Sequence, residues 1–192
     1  MSADDLTHEA TAVYGTAAPI YWEAGWRGIL PVPARRKGNP PVGYTGNDGI
    51  FPSYADITAW AETRPCSNIV LRLPDGIIGI DVDAHGEKTG AAALIEAELR
   101  WGALPDTWRS TSRLDDPISG VYLFRVPKGL LFTGEIKFPE LGIGNVDIVQ
   151  RHHRYVTVWP SIHPKGRLYR WIRPDGTTAD TVPTPDDLGW LP

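Results

Sequence analysis

Cysteine is almost missing from this chain: Cys66 is the single one in 192 residues. No intramolecular disulfide can form, and neither a cysteine zinc site nor an iron–sulfur cluster can be built from this chain alone, so a reducing compartment such as the cytoplasm is expected. Long apolar runs are missing too. No stretch approaches the roughly 20 apolar residues that cross a bilayer, and no basic start is followed by an unbroken apolar run, which predicts a soluble protein with no membrane partner. Nor is there an excess of positive charge: 19 Lys and Arg against 23 Asp and Glu leave a formal charge of −4, which argues against a uniformly basic coat for nucleic acid. There is no internal repeat. What is present, 42% hydrophobic and 22% charged residues, describes a single domain over residues 1–192, built as one unit or as two closely packed lobes.

The charge is unevenly spread, because no acid lies between Asp147 and Asp175. That stretch holds Arg151, Arg154, Lys165, Arg167, Arg170 and Arg173, with His152, His153 and His163, interleaved with Tyr155, Trp159, Tyr169 and Trp171. Guanidinium groups pair with phosphate oxygens and aromatic faces accept stacked bases, so the mixture suits a nucleic acid or nucleotide. The alternation in residues 155–159 and 168–172 also describes two strands with solvated arginines on their outer face, and the two descriptions are compatible.

Elsewhere the pattern alternates between helix and strand. Residues 6–26 predict an alanine-rich helix weakened by Gly15 and Pro19 and ending near Gly25. Residues 28–33 predict a strand at an edge or beginning of a sheet, and residues 34–52, rich in Gly, Pro and Asn and carrying Arg35, Arg36 and Lys37, a loop able to clasp an anion. A short helix at residues 56–62, capped by Ser53 or Asp56, is stopped by Pro65. Residues 68–73 and 76–82 read as the two strands of a hairpin turned by Pro74-Asp75-Gly76. A helix over residues 89–101 follows, with Leu94 and Ala97 on its apolar face, then strands at 107–112, 120–126 and 143–149. The tail from Pro183 is expected to be irregular, with Trp190 packed back on the domain.

Candidate chemistry starts at Ile77-Ile78-Gly79-Ile80-Asp81-Val82-Asp83. Strand alternation points both carboxylates to one face, where they repel unless a cation lies between them; oxygen ligands suit Mg²⁺ or Mn²⁺. The plainer alternative is that they cap the following loop and helix. Asp147, a single acid inside the apolar Val146-Asp147-Ile148, needs a partner to offset its desolvation, either a metal or an arginine.

Four stretches together resemble the bifunctional primase–polymerase domain of the archaeo-eukaryotic primase superfamily, found in phage and plasmid replication proteins. They are Gly25-Trp26-Arg27-Gly28-Ile29-Leu30-Pro31-Val32 with Lys37 and Pro40-Pro41; Asn68-Ile69-Val70 leading to Asp81-Val82-Asp83; Ser119-Gly120-Val121-Tyr122-Leu123-Phe124; and Val146-Asp147-Ile148 continuing to Pro160-Ser161-Ile162-His163. The resemblance covers most of the chain. It implies an α+β fold with a mixed or antiparallel sheet, a catalytic unit like an RNA-recognition motif beside an N-terminal α/β lobe, and a metal site in the cleft between them.

By the same resemblance Asp81, Asp83 and Asp147 are the catalytic metal ligands for Mg²⁺ or Mn²⁺. The substrates are nucleoside triphosphates with a single-stranded DNA template and primer, and the chain is the N-terminal part of a larger replicase that has a fused or partner helicase. Ser161 and His163 fall in the family's Pro-Ser-x-His segment as phosphate or metal-water contacts, and Ser119 and Gly120 in its middle motif. That motif usually carries a histidine where Val121 stands here, and Arg125, His152 or His153 are candidates to replace it. Lys137, Arg151, Arg154 and Lys165 are candidates to hold the triphosphate or template backbone. Two rivals remain open at this point: a metal-dependent nuclease, since Asp-x-Asp with a distant Asp also serves hydrolysis, and a non-catalytic single-strand-binding module.

Overall fold

The structure is a computed structural model that describes residues 12–191, and its strands divide between two sheets. The smaller holds β1 (Ile29–Val32), β2 (Asn68–Leu71) and β8 (Val156–Thr157) in the antiparallel order β1-β2-β8. The larger runs β10 (Thr178–Ala179), β9 (Arg170–Ile172), β4 (Arg109–Thr111), β5 (Gly120–Arg125), β3 (Ile77–Val82), β7 (Ile143–Val149), β6 (Glu135–Phe138). Its pairings are antiparallel except where β11 (Gly189–Trp190) joins β5 in parallel. The fold is therefore α+β, as the sequence predicts.

Three helices among the described residues cover these sheets. α1 (Val13–Glu23) and α2 (Tyr54–Thr63) pack on each other beside the small sheet, burying Tyr14, Tyr21 and Ile57 with Trp26, Ile29 and Ile69. Fully burying one such side chain contributes roughly 1.5–3 kcal/mol. α2 begins where a capping box forms: Ser53 Oγ accepts from Asp56 N, and the Asp56 carboxylate accepts from Ser53 N. α3 (Gly90–Trp101) lies on one face of the large sheet, where Ala93 and Ala97 meet Ile78, Ile80, Val82, Val146 and Ile148. The opposite face is shared. Ile77, Leu123, Val149 and Trp171 pack into the core of the small-sheet lobe, and farther along β3 the same face opens into a cleft. No helix among the described residues is long and apolar enough to cross a membrane.

Several expectations need correction. The strands on either side of Pro74-Asp75-Gly76 are not a hairpin: β2 pairs with β1 and β8, whereas β3 pairs with β5 and β7 in the other sheet. The turn residues are local, but β2 is buried throughout and β3 everywhere but at Asp81, so distant partners decide their pairing. The first helix starts at Val13, and residues 6–11 of the expected span lie outside the described ones. The strand expected over residues 155–159 shrinks to Val156–Thr157. The tail is not wholly irregular. It adds β11 and buries Pro183 and Leu188, while Trp190 stays about half exposed at 49%.

Candidate active site

Alternation along β3 builds the acidic side. With Ile78, Ile80 and Val82 turned to α3, Asp81 and then Asp83 fall on the cleft face. β5 and β7 flank β3, and their registers set Val121 and Asp147 directly opposite Asp81, one on each side. One row across the sheet therefore reads Ser110, Val121, Asp81, Asp147, Glu135, and directly opposed residues share a face. Crowded carboxylates in a buried setting resist ionisation. Burial first, then Asp83 and Asp147, pushes the Asp81 pKa up to about 6 against the opposing pull of Lys37 and Arg154.

Asp147 has an arginine partner, the alternative its sequence context left open: Arg154 Nη1 lies 2.7 Å from its Oδ2. A tight reversal delivers that arginine. Gln150 and His153 exchange both backbone hydrogen bonds, at 3.0 and 2.9 Å, and Arg154 follows with φ 65, a left-handed conformation that side chains with a Cβ rarely adopt.

Backbone contacts fix the end of β3. Asp83 N donates to Asn145 O at 3.0 Å, and Gly90 N donates to Asp83 O at 2.9 Å. A Cβ at Gly90 would stand 2.3 Å from Asp83 O, so α3 can start this close only with glycine there. On the other flank, Ser119 Oγ donates to Asp116 and accepts from Ala84 N at 3.0 Å. Gly120 follows at φ +141, where a Cβ would meet Ser110 O at 2.7 Å. Both residues line the cleft, and Ser119 spends its hydroxyl on shaping it.

Loops supply the cations. The loop between β1 and α2 carries Lys37 into the cleft, and a buried guanidinium holds that loop down. Arg72, 1% exposed, donates from Nη1 to Gly49 O and Ile50 O, from Nη2 to Gly46 O and from Nε to Arg151 O, at 2.7–3.0 Å, and stacks on Phe51. Across from Lys37, His163 Nδ1 accepts from Lys165 N at 3.0 Å, which leaves the proton on Nε2. Burial, followed by Lys37, Arg167, Arg113 and Lys165, lowers its pKa to about 4; near neutral pH it is an uncharged N–H donor ringed by cations.

Together these residues enclose a cleft of about 650 Å³. The acids Asp81 and Asp83 and the imidazole of His85 line it together with Lys37, Arg113, Arg154, Lys165 and His163, the hydroxyls of Ser110, Thr111 and Ser112 and the rings of Tyr155 and Tyr169. Hard oxygen donors facing cations and flat rings suit a divalent ion, phosphates and a base respectively. Among the described residues no three His, Cys, Asp or Glu side chains already converge as a metal cage, and Asp147 is engaged by Arg154.

Of the residues singled out in the sequence, Asp81, Asp83, Ser119, Gly120, Arg154, His163 and Lys165 line this cleft, and Asp147 adjoins Asp81 in register. The others lie elsewhere. Arg125 Nε donates to Leu188 O at 3.0 Å and its guanidinium lies 3.7 Å from Asp186. Lys137 is paired with Glu135 at 2.9 Å on the strand β6. Arg151 and His152 line a separate cavity of about 310 Å³, and His153 lies against Gly134. Ser161 is fully buried, its Oγ donating to Ile69 O at 2.9 Å and accepting from Ile69 N at 2.8 Å. Arg125, His152 and His153 thus do not line the cleft that Val121 lines. The lining residues that sequence reasoning did not single out are His85, whose Nδ1 is 3.7 Å from Asp83 Oδ1, Arg113, and the hydroxyls of Ser110, Thr111, Ser112 and Thr157. The signals were the continued alternation past Asp83 and the hydroxyl run of residues 110–112 that ends in Arg113.

No curated protein and no solved structure matches the chain significantly. The family described as bifunctional DNA primase/polymerase, N-terminal (Prim-Pol), matches residues 18–187. That span takes in the small sheet, every strand of the large sheet but β11, all the residues lining the cleft and the acid row from β3 to β7. The chain belongs to the Prim-Pol family of bifunctional DNA primase/polymerase domains.

Proposed function

We propose that this chain joins nucleotides on a single-stranded DNA template by a two-metal mechanism, in the replication of a phage or plasmid genome and alongside a fused or partner helicase. Family membership supports nucleotidyl transfer in general; the observation that carries the particular reading is the Asp81–Asp147 row, with Asp83 beyond it, at one cleft that Lys37, Arg113, Lys165 and His163 also line. Asp81, Asp83 and Asp147 have the donor chemistry to hold Mg²⁺ or Mn²⁺. When bound, such ions lower the pKa of a primer 3′-hydroxyl and neutralise charge on the triphosphate.

The chain's own groups do the rest. Lys37, Arg113 and Lys165 offer charged donors to phosphate oxygens, His163 Nε2–H adds a neutral donor, and Tyr155 and Tyr169 offer faces for a base. Arg154 holds Asp147 through Oδ2; the carboxylate keeps a second oxygen to offer a cation, and the guanidinium, already lining the cleft, keeps further N–H donors to offer a phosphate.

The test is extension of a labelled primer on a single-stranded template with Mg²⁺ or Mn²⁺ and either deoxyribo- or ribonucleoside triphosphates. Template-dependent extension is expected; release of mononucleotides without added triphosphates points to a nuclease instead. One observation favours a second reading, a single-strand-binding module: Val121, directly opposite Asp81, brings no polar group where the family usually has a histidine. Template binding without extension under every metal condition would establish that reading.

A further inference from the structure

Lys37 and His163 both line the cleft, yet neither lies in a strand or helix. Lys37 sits in the loop between β1 and α2, and His163 in a turn where its N–H donates to Arg167 O at 2.7 Å and Gly166 N donates back to His163 O at 2.8 Å. Regular pairing therefore does not set the distance between them.

A single buried amide does. Asn68 opens β2 and is 1% exposed. Its Nδ2 donates to Arg36 O at 3.0 Å and to Ile162 O at 2.8 Å, and its Oδ1 accepts from Ile162 N at 2.9 Å. Arg36 immediately precedes Lys37, and Ile162 immediately precedes His163. The amide thus ties together the two backbone segments that present the phosphate-facing groups. No other side chain has this capacity at this size: aspartate keeps the acceptor but has no donors and brings a buried charge, and alanine leaves all three backbone groups unpaired. Neighbouring Ser161 independently fastens the second segment to β2 through Ile69. Losing the Asn68 amide therefore frees the Lys37 segment relative to His163 without detaching the turn.

We propose that Asn68 is a positioning residue for nucleotide binding, holding Lys37 and His163 at the separation at which both meet the same triphosphate. This rests on the reading that the cleft takes a nucleoside triphosphate.

The experiment titrates the chain with a fluorescent deoxynucleoside triphosphate in Mg²⁺ and, separately, with labelled single-stranded DNA. Asn68→Ala is expected to weaken triphosphate binding about 10-fold, the order expected for losing aligned hydrogen bonds, and to leave DNA binding within about 2-fold. A positioning role also predicts non-additivity. In a Lys37→Ala background the further loss from Asn68→Ala should shrink to less than about 2-fold, because the group it positions is gone. A full 10-fold loss in that background, or no loss in the native background, overturns the proposal. Should Asn68→Ala fail to fold, Asn68→Gln keeps every donor and acceptor but displaces them by a methylene, and the same cycle decides. A native chain that binds no triphosphate removes both the nucleotidyl-transfer reading and this inference. A chain weakened by Lys37→Ala but not by Asn68 substitution removes the inference alone.

Discussion

The two sides of the cleft are made differently. The acids stand on β3 and β7, where register and alternation place them and every flanking residue of the sheet helps to hold them. The cations stand on loops and turns, and their positions depend on a few buried polar side chains, Arg72 and Asn68 above all. One side is placed by a repeating pattern, the other by single clamps. Substitution should therefore affect chemistry without affecting shape on the acidic side, and affect shape and affinity together on the cationic side.

The largest effect is expected from Asp81→Ala, Asp83→Ala and Asp147→Ala: loss of primer extension by about 100-fold or more, with circular dichroism and single-stranded DNA binding preserved, as checked by anisotropy. Unfolding of these variants would break the contrast between the two sides. Next comes Arg72→Ala. It strands four carbonyls and empties the centre of the loop, and should cost about 3 kcal/mol or more in urea unfolding, with faster proteolysis of residues 43–51 as the local sign.

Lys37→Ala and Arg113→Ala should each raise the triphosphate KM about 10-fold, with kcat much less changed, read from steady-state single-nucleotide extension. Asp81→Asn should stabilise the metal-free chain by about 1–3 kcal/mol at pH 7.5. The sign follows from its pKa, raised from 3.8 to about 6: the folded state takes up the proton more readily, so the native acid is fully favourable below pH 4 and loses that advantage as pH rises through about 6. The asparagine's gain should vanish by pH 4 in thermal melts with EDTA. Smallest of all, Arg125→Ala and His152→Ala should change extension by less than about 2-fold, since neither lines the cleft.

The same asymmetry governs what the sequence makes legible. Period-two alternation in Ile77-Ile78-Gly79-Ile80-Asp81-Val82-Asp83 places both acids on one face without any structure, and Ser53, three residues before Asp56, marks the start of α2. The α3 pattern and the strands holding Val121 and Asp147 follow from the same local rules. What stayed hidden is non-local. Nothing near Pro74 records that β2 and β3 belong to different sheets, because partner choice there is made by β8 and β7. β6 is short, and its Glu135-Ile136-Lys137-Phe138 alternation is a weak signal beside a glycine-rich loop. His163, noted for its family segment, could not be given a protonation state from sequence, since that depends on Lys37 from a distant loop and on the Lys165 N–H. Asn68 looked like an ordinary strand residue, although its amide joins two segments far apart along the chain.

The connectivity of the small sheet bears on how this protein is made. Its central strand, β2, is flanked by β1 from early in the chain and by β8 from much later, so synthesis from the N-terminus leaves one edge of β2 unpaired until residues 156–157 emerge. Strands β3 to β7 of the large sheet are translated in that interval. At translation rates of about 5–20 residues per second, the nascent chain exposes an apolar strand edge for several seconds, and the turn that follows β8 is made only after strands β3 to β7.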